Sequence, residues 1–281
     1  MLATLNSMYR LRINKVHRFR PKIEVYNRIG NFVCKTVSNR DELRPALALR
    51  FQVLQPRENT TFATSGLDVD SHDAQCDHLV ILDSRQNRVA GTFRLGCSLF
   101  ADQYQASEQF LLTRILQKPG IKVEMGRACI HPDYHRGFVI SMLWRGIAEY
   151  MISAQADWLF GAVGVPTLNP RTAALIYREF LDQKRMHSDF FAPPTLAHTL
   201  PNLNFWLPRF AAPLSPNESA EAQSFLSPLW RSFLERGVSI GGEPALAQFG
   251  PGIEFFTILN RENCLRRESR FTPESVPTVF F

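Results

Sequence analysis

Two residues of opposite charge, Glu124 and Arg127, stand three apart in the run Ile121 to Ile130, whose other members are mostly apolar or small. A carboxylate in apolar surroundings acquires a raised pKa and can take a proton from an attacking amine. A guanidinium nearby can hold a carboxylate or a developing oxyanion. Residues three apart in a regular strand point to opposite faces, so the two share a substrate only if a β-bulge intervenes. Arg94, in Gly91-Thr92-Phe93-Arg94-Leu95, sits in a second mainly apolar run and requires a carboxylate partner, because an unpaired buried charge is costly. Partners lie just upstream: Asp68, Asp70, Asp73 and Asp77, with His72 and His78 interleaved. The glycine and terminal glutamate of a calcium loop are missing, which favours an organic ammonium over a metal ion. Structural ion pairing and catalysis are both open to these residues at this level.

The Glu124 strand continues through His131-Pro132-Asp133-Tyr134-His135-Arg136-Gly137 into a segment with Ile140, Leu143, Trp144, Ile147 and Met151 at helical spacing. A basic loop that feeds a helix N-terminus binds anions through unpaired N–H groups and the helix dipole. His135, Arg136 and Gly137 are therefore the candidate phosphate ligands. The loop resembles the Arg/Gln-x-x-Gly-x-Gly/Ala pyrophosphate loop of acetyl-CoA-dependent N-acyltransferases, but Val139, Ile140 and Ser141 replace its later small residues and would obstruct close backbone approach to a diphosphate. A donor with a single phosphate, such as the phosphopantetheine arm of acyl carrier protein, suits the loop better than coenzyme A. No nucleophile elbow or triad stands out, so direct attack of an amine on a thioester, with Glu124 as base, is the expected chemistry.

Alternating strands and helices must position these groups. The expected strands are 31–37, 79–83, 89–95, 121–130, 157–163 and 253–259, with 79–83 and 89–95 joined as a hairpin. Expected helices are 41–53, 104–117, 140–151, 171–180 and 227–237. The stretch 190–222 is rich in Pro, Ala, Asn and Ser but holds Leu203, Phe205, Trp206 and Phe210, so it is expected to pack. Three regions result: a basic leader over 1–30, a core over 31–190, and an extension over 191–281 that packs on the core. The net charge is +6, and residues 1 to 23 hold six Lys and Arg and no acid. That leader suits either a disordered tail or a basic amphipathic helix on an anionic membrane. No nucleic-acid module accompanies the charge. Five scattered cysteines, with no CxxC pair, indicate reduced thiols in a cytoplasmic protein and no zinc site.

Several segments together resemble the N-acyl amino acid synthases of the GNAT superfamily, in particular the bacterial ornithine lipid N-acyltransferases often labelled hemolysins. They are Leu49-Arg50-Phe51-Gln52-Val53-Leu54, Asp73 through Leu79, Gly91 through Leu95, Val123 through Tyr134, Leu143 through Ala148, Leu159-Phe160-Gly161, Ser227 through Trp230 and Gly241 through Ala245. The pattern is also similar to that of acyl-homoserine lactone autoinducer synthases. The resemblance implies an α/β fold with a GNAT-like mixed, mostly antiparallel central sheet of splayed strands flanked by helices. It implies transfer of a long-chain (3-hydroxy)acyl group from acyl carrier protein to the amino group of an amino acid, with ornithine the first candidate and no tightly bound cofactor. Glu124 and Arg127 would be catalytic, and Arg94, Asp70, Asp73 and Asp77 would shape the amine site. The acyl chain would enter between the Glu124 and Asp157 strands. Arg44, Arg50, Arg136 and Arg145 would dock the acidic carrier protein, and the product would leave into the inner membrane. Where relatives show Phe-Asn-Thr-x-Asp, this chain has Phe249-Gly250-Pro251-Gly252-Ile253-Glu254, which leaves the acceptor open among ornithine, glycine and aromatic amino acids. An autoinducer-type synthase and a non-catalytic membrane-active protein are the other readings.

Overall fold

The computed structural model describes residues 19–54, 66–134 and 137–265. Its centre is one sheet in the order β1-β2-β3-β4-β5-β6-β9-β7, with β8 paired to β9. The strands are β1 (Tyr26–Ile29), β2 (Phe32–Thr36), β3 (Asp77–Asp83), β4 (Arg88–Cys97), β5 (Lys122–Ile130), β6 (Trp158–Val165), β7 (Ser239–Ile240), β8 (Ala245–Leu246) and β9 (Ile253–Asn260). All pairings are antiparallel except β5 with β6. The helices are α1 (Arg40–Leu54), α2 (Thr113–Leu116), α3 (Phe138–Ser153), α4 (Pro170–Asp182), α5 (Leu203–Trp206), α6 (Pro216–Ser224), α7 (Pro228–Glu235) and α8 (Arg261–Leu265). This is the mixed, mostly antiparallel sheet with flanking helices that the sequence implies.

Strand alternation sorts the apolar residues onto two faces. On one face, Val123, Leu159, Val163 and Phe255 join Leu143, Ile147 and Met151 of α3, Phe180 of α4 and Trp230 of α7 in the main core. On the other, Phe160, Phe256 and Ile258 pack under Tyr104, Phe110 and Ile115, while Val37, Val80 and Cys129 pack under Leu43 and Leu47 of α1. Asn39 caps α1, its side-chain oxygen accepting from the Asp41 and Glu42 amides.

The differences from expectation have local causes. Residues 104–117 form a 3-10 turn (Gln105–Glu108) and the short α2 rather than one helix. The chain there spans the sheet face and makes a β-bridge and hydrogen bonds to residues 193–195. Residues 19–30, assigned to the leader, belong to the fold: Phe19 is buried and β1 extends the sheet edge. The rest of the leader, residues 1–18, lies outside the described residues. The boundary at 190 does not separate two bodies, because β9 pairs with β6 from Trp158↔Asn260 to Val165↔Ile253. The five cysteines are all buried. Among the described residues, no helix is long and apolar enough to cross a membrane.

Candidate active site

The site grows out of a register change between β4 and β5. Thr92 faces Cys129 and Arg94 faces Gly126, so β5 carries one residue more than β4 over this interval. Arg127 absorbs it with a φ of 52°, in the left-handed region. A bulge bends its strand and resets which face the following side chains occupy. Glu124 and Arg127 accordingly line one cavity, although they are three residues apart.

The cavity, of about 230 Å³, lies where β5 and β6 diverge. Their parallel pairing covers only Lys122–Glu124 against Trp158–Phe160, after which the two strands part. Gly161 stands at the vertex, where a Cβ would collide with the Met125 carbonyl oxygen. Past this point the walls are Met125 to Ala128 on one side and Gly161 to Gly164 on the other.

Glu124 is buried, and both of its oxygens are engaged. Oε2 accepts from the Gln105 N–H at 2.9 Å and Oε1 from the Ala106 N–H at 2.7 Å, the opening amides of the 3-10 turn. Burial raises its pKa, and the opposing pull of those amides, Arg94 and His72 does not cancel the rise. An anchored carboxylate more basic than usual is suited to accept a proton from an amine.

Behind this carboxylate, three arginines alternate with three aspartates. Arg50 donates to Asp68 at 2.8 Å and to Asp73 at 2.7 Å. Arg94 bridges Asp70 at 2.5 Å and Asp73 at 3.0 Å, and also donates to the Gln105 side chain. Arg127 donates through Nη2 to Asp70 at 2.9 Å, and its Nε lies 3.7 Å from Asp68. Burial alone would raise Asp70 and Asp73, but the arginines overcome it and hold both below the usual carboxylate range. The Arg127 guanidinium also sits 4.2 Å from the centre of the Phe249 ring, a cation–π contact.

Of the residues singled out in the sequence, Glu124 and Arg127 face the cavity, while Arg94, Asp70 and Asp73 form the lattice behind it. Asp77 does not join them. It pairs in register with Leu95, one step out of phase with His78 and Arg94, and so faces the opposite side of the sheet. There it accepts from the Lys22 and Ile23 amides and the Tyr150 hydroxyl. Arg50, expected to dock a carrier protein, is fully buried with its charge committed to Asp68 and Asp73. His135 and Arg136 lie outside the described residues. Gly137 is the N-cap of α3 with a φ of 49°.

Sequence reasoning missed Gln105 and Gln109, and it tied the segment Phe249 to Glu254 to the choice of acceptor without giving Phe249 or Glu254 a place in the site; all four line the cavity. Glu254 had a signal: it interrupts the apolar strand Ile253–Leu259 as Glu124 interrupts its own. Gln109 donates to the Glu254 carboxylate and to the Leu246 carbonyl. Burial raises the Glu254 pKa against the pull of Gln109, Arg127 and His198. Among the described residues, no group of His, Cys, Asp and Glu is arranged to hold a metal ion.

Residues 49–145 match the family described as acetyltransferase (GNAT) domain. The L-ornithine N(alpha)-acyltransferase of Rhizobium meliloti is 27% identical over 240 residues, 79% of this chain and 77% of the relative. That of Brucella abortus is 26% identical over 260 residues, 86% and 89% of the two chains. Among solved structures, the CoA-dependent acyl-homoserine lactone synthase BjaI is 16% identical with a TM-score of 0.44, covering 82% of each chain. FeeM, an N-acyl amino acid synthase from uncultured soil microbes, is 10% identical with a TM-score of 0.41, covering 86% of this chain and 95% of its own. Residues 49–145 are thus similar to the GNAT acetyltransferase domain, and the chain is similar over most of its length to L-ornithine N(alpha)-acyltransferases.

Proposed function

We propose that the protein transfers a long-chain (3-hydroxy)acyl group from acyl carrier protein to the α-amine of ornithine. The observation that carries this reading is the divergence of β5 and β6 just past Glu124, which opens a cavity beside an anchored, basic carboxylate. The acyl thioester enters between the two strands, whose facing edges are unpaired past Glu124 and Phe160. Their free amides are then available to the oxyanion. The amine nitrogen attacks the thioester carbonyl carbon, and Glu124 takes the proton released from nitrogen. Collapse of the tetrahedral intermediate breaks the C–S bond, and the proton passes to the departing sulfur. Arg127 faces the acceptor carboxylate or the oxyanion. The phosphodiester of the phosphopantetheine arm lies at the loop His135-Arg136-Gly137 and the N-terminus of α3, where first-turn amides carry no side-chain cap.

Lipid mass spectrometry of cells producing the protein tests the reading. A new ornithine-containing lyso-lipid is expected, dependent on Glu124. An N-acyl glycine or N-acyl tyrosine would replace ornithine as the acceptor, and unchanged lipids would remove the enzymatic reading. We further propose peripheral contact of residues 1–18, the part of the basic leader that precedes Phe19, with anionic membrane on the cytoplasmic side. Liposome flotation tests it, since equal flotation after their deletion would reject that contact.

A further inference from the structure

The aspartates that precede β3 have no charge left for a substrate. Asp68, Asp70 and Asp73 are each within 4.0 Å of one or two of Arg50, Arg94 and Arg127, and the three arginines balance the three acids. Two other carboxyl groups line the cavity, Glu124 and Glu254, and neither has a cationic side chain at ion-pair distance among the described residues. Their environments differ. Glu124 is clasped by two backbone amides, whereas the hydrogen bond found at Glu254 comes from the neutral side chain of Gln109.

Register places both on one face of the sheet. Glu124 pairs with Phe160, which pairs with Ile258, and Glu254 is four residues from Ile258 on the same strand. The same short segment reaches both, through the Gln105 and Ala106 amides at one end and the Gln109 side chain at the other. The backbone offset is ~13 Å along β9 and ~10 Å across two strand spacings. The two side chains reach across it to partners only three residues apart, Ala106 and Gln109, so that an extended diamino acid laid between the carboxylates has a hydrogen-bond partner at each end. A half-buried carboxyl with no cation at ion-pair distance among the described residues, on the wall of a cavity that must admit an amino acid, is an incomplete ion pair.

We infer that Glu254 completes that pair with the side-chain ammonium of the acceptor, so that it selects a diamino acid over neutral amino acids of the same length. The inference rests on the proposed N-acyltransferase reading and assigns its acceptor specificity to one residue. Glu254 contacts substrate away from the reacting atoms, Glu124 serves the α-amine, and Gln109 holds the Glu254 carboxyl in place.

The test compares ornithine with norvaline, the same carbon skeleton without the ammonium, as acceptors for wild type, Glu254→Gln and Glu254→Asp, with a 3-hydroxyacyl-acyl carrier protein as donor. Glu254→Gln should lower the ornithine-to-norvaline ratio of kcat/KM by about 10- to 100-fold, the worth of a charge-assisted hydrogen bond. Glu254→Asp, which keeps the charge, should retain most of the preference. An ornithine-to-norvaline ratio equal in wild type and Glu254→Gln, or an equal loss on both substrates, overturns the inference. Calorimetric titration of ornithine and norvaline into the same three proteins reads binding without turnover. If wild type acylates neither amino acid, the proposed activity fails, and the titration decides on Glu254 by itself. Preferential ornithine binding that vanishes in Glu254→Gln supports the assignment, and equal binding of the two ligands rejects it.

Discussion

The acids of this protein fall into two populations a few residues apart in space. Asp68, Asp70 and Asp73 are consumed by Arg50, Arg94 and Arg127 in a buried lattice. Glu124 and Glu254 face a cavity, and the hydrogen bonds they accept among the described residues come from amides. The arginines drive Asp70 and Asp73 down, and burial drives the two glutamates up. Acid density in a sequence therefore marks scaffolding here, while the proposed chemistry belongs to single acids isolated in apolar strands.

Glu124→Gln tests the cavity side of this contrast most severely. Acyl transfer should fall by about 10²- to 10⁴-fold, the usual contribution of a general base, while the melting temperature changes less than in any lattice variant. Retention of more than half the activity would take the base role away from Glu124. On the lattice side, Arg50→Met leaves Asp68 and Asp73 buried beside one fewer cation and should cost about 3–5 kcal/mol of folding stability, measured by urea denaturation. A cost below about 1 kcal/mol would mean that the lattice behaves like a surface ion pair.

Acid titration separates the two populations by sign. The depressed carboxyls Asp70 and Asp73 contribute stability that is present above the ordinary aspartate range and lost as pH falls below it. The raised Glu124 and Glu254 oppose this, since their protonation in the folded state begins at higher pH than in the unfolded chain. His78 adds a third window: burial takes it from 6.5 to about 4, and its Nε2 donates to the Asp73 carbonyl. The unfolded chain binds that proton first, so stability should decline as pH drops from 6.5 to about 4. The same decline should be absent in His78→Asn, and matching urea midpoints for the two proteins across that window would reject the assignment. Smaller still is Gly161→Ala, whose methyl group must displace the Met125 carbonyl. It should cost about 1–3 kcal/mol and change acyl-chain preference, and an unaltered chain-length profile would show that the vertex does not shape the donor site.

Much of this fold was legible in sequence because the strands flanking the site are long and apolar. The hairpin of β3 and β4, the strand around Glu124 and the following helix lie where periodicity puts them. The bulge at Arg127 was legible as a requirement, since two partners three apart cannot share a face of a regular strand. The face of Asp77 was not, because it depends on the register of β3 against β4, which no local pattern states. Gln109 and Glu254 meet only in three dimensions, 145 positions apart in the chain. The 3-10 turn of residues 105–108 also escaped, because its conformation answers to the sheet face beneath it rather than to its own composition.

The pairing of β6 with β9 has a consequence for how the chain is made. On the ribosome, β6 is complete at Val165, but its antiparallel partner begins only at Ile253. Until residues 166 to 252 have been added, several seconds of translation at ~5–20 residues per second, β6 has an unpaired eight-residue edge, a template for aggregation. Yield in a host cell should therefore respond to chaperone supply and to translation speed across that interval, and truncations ending before β9 should accumulate as insoluble protein.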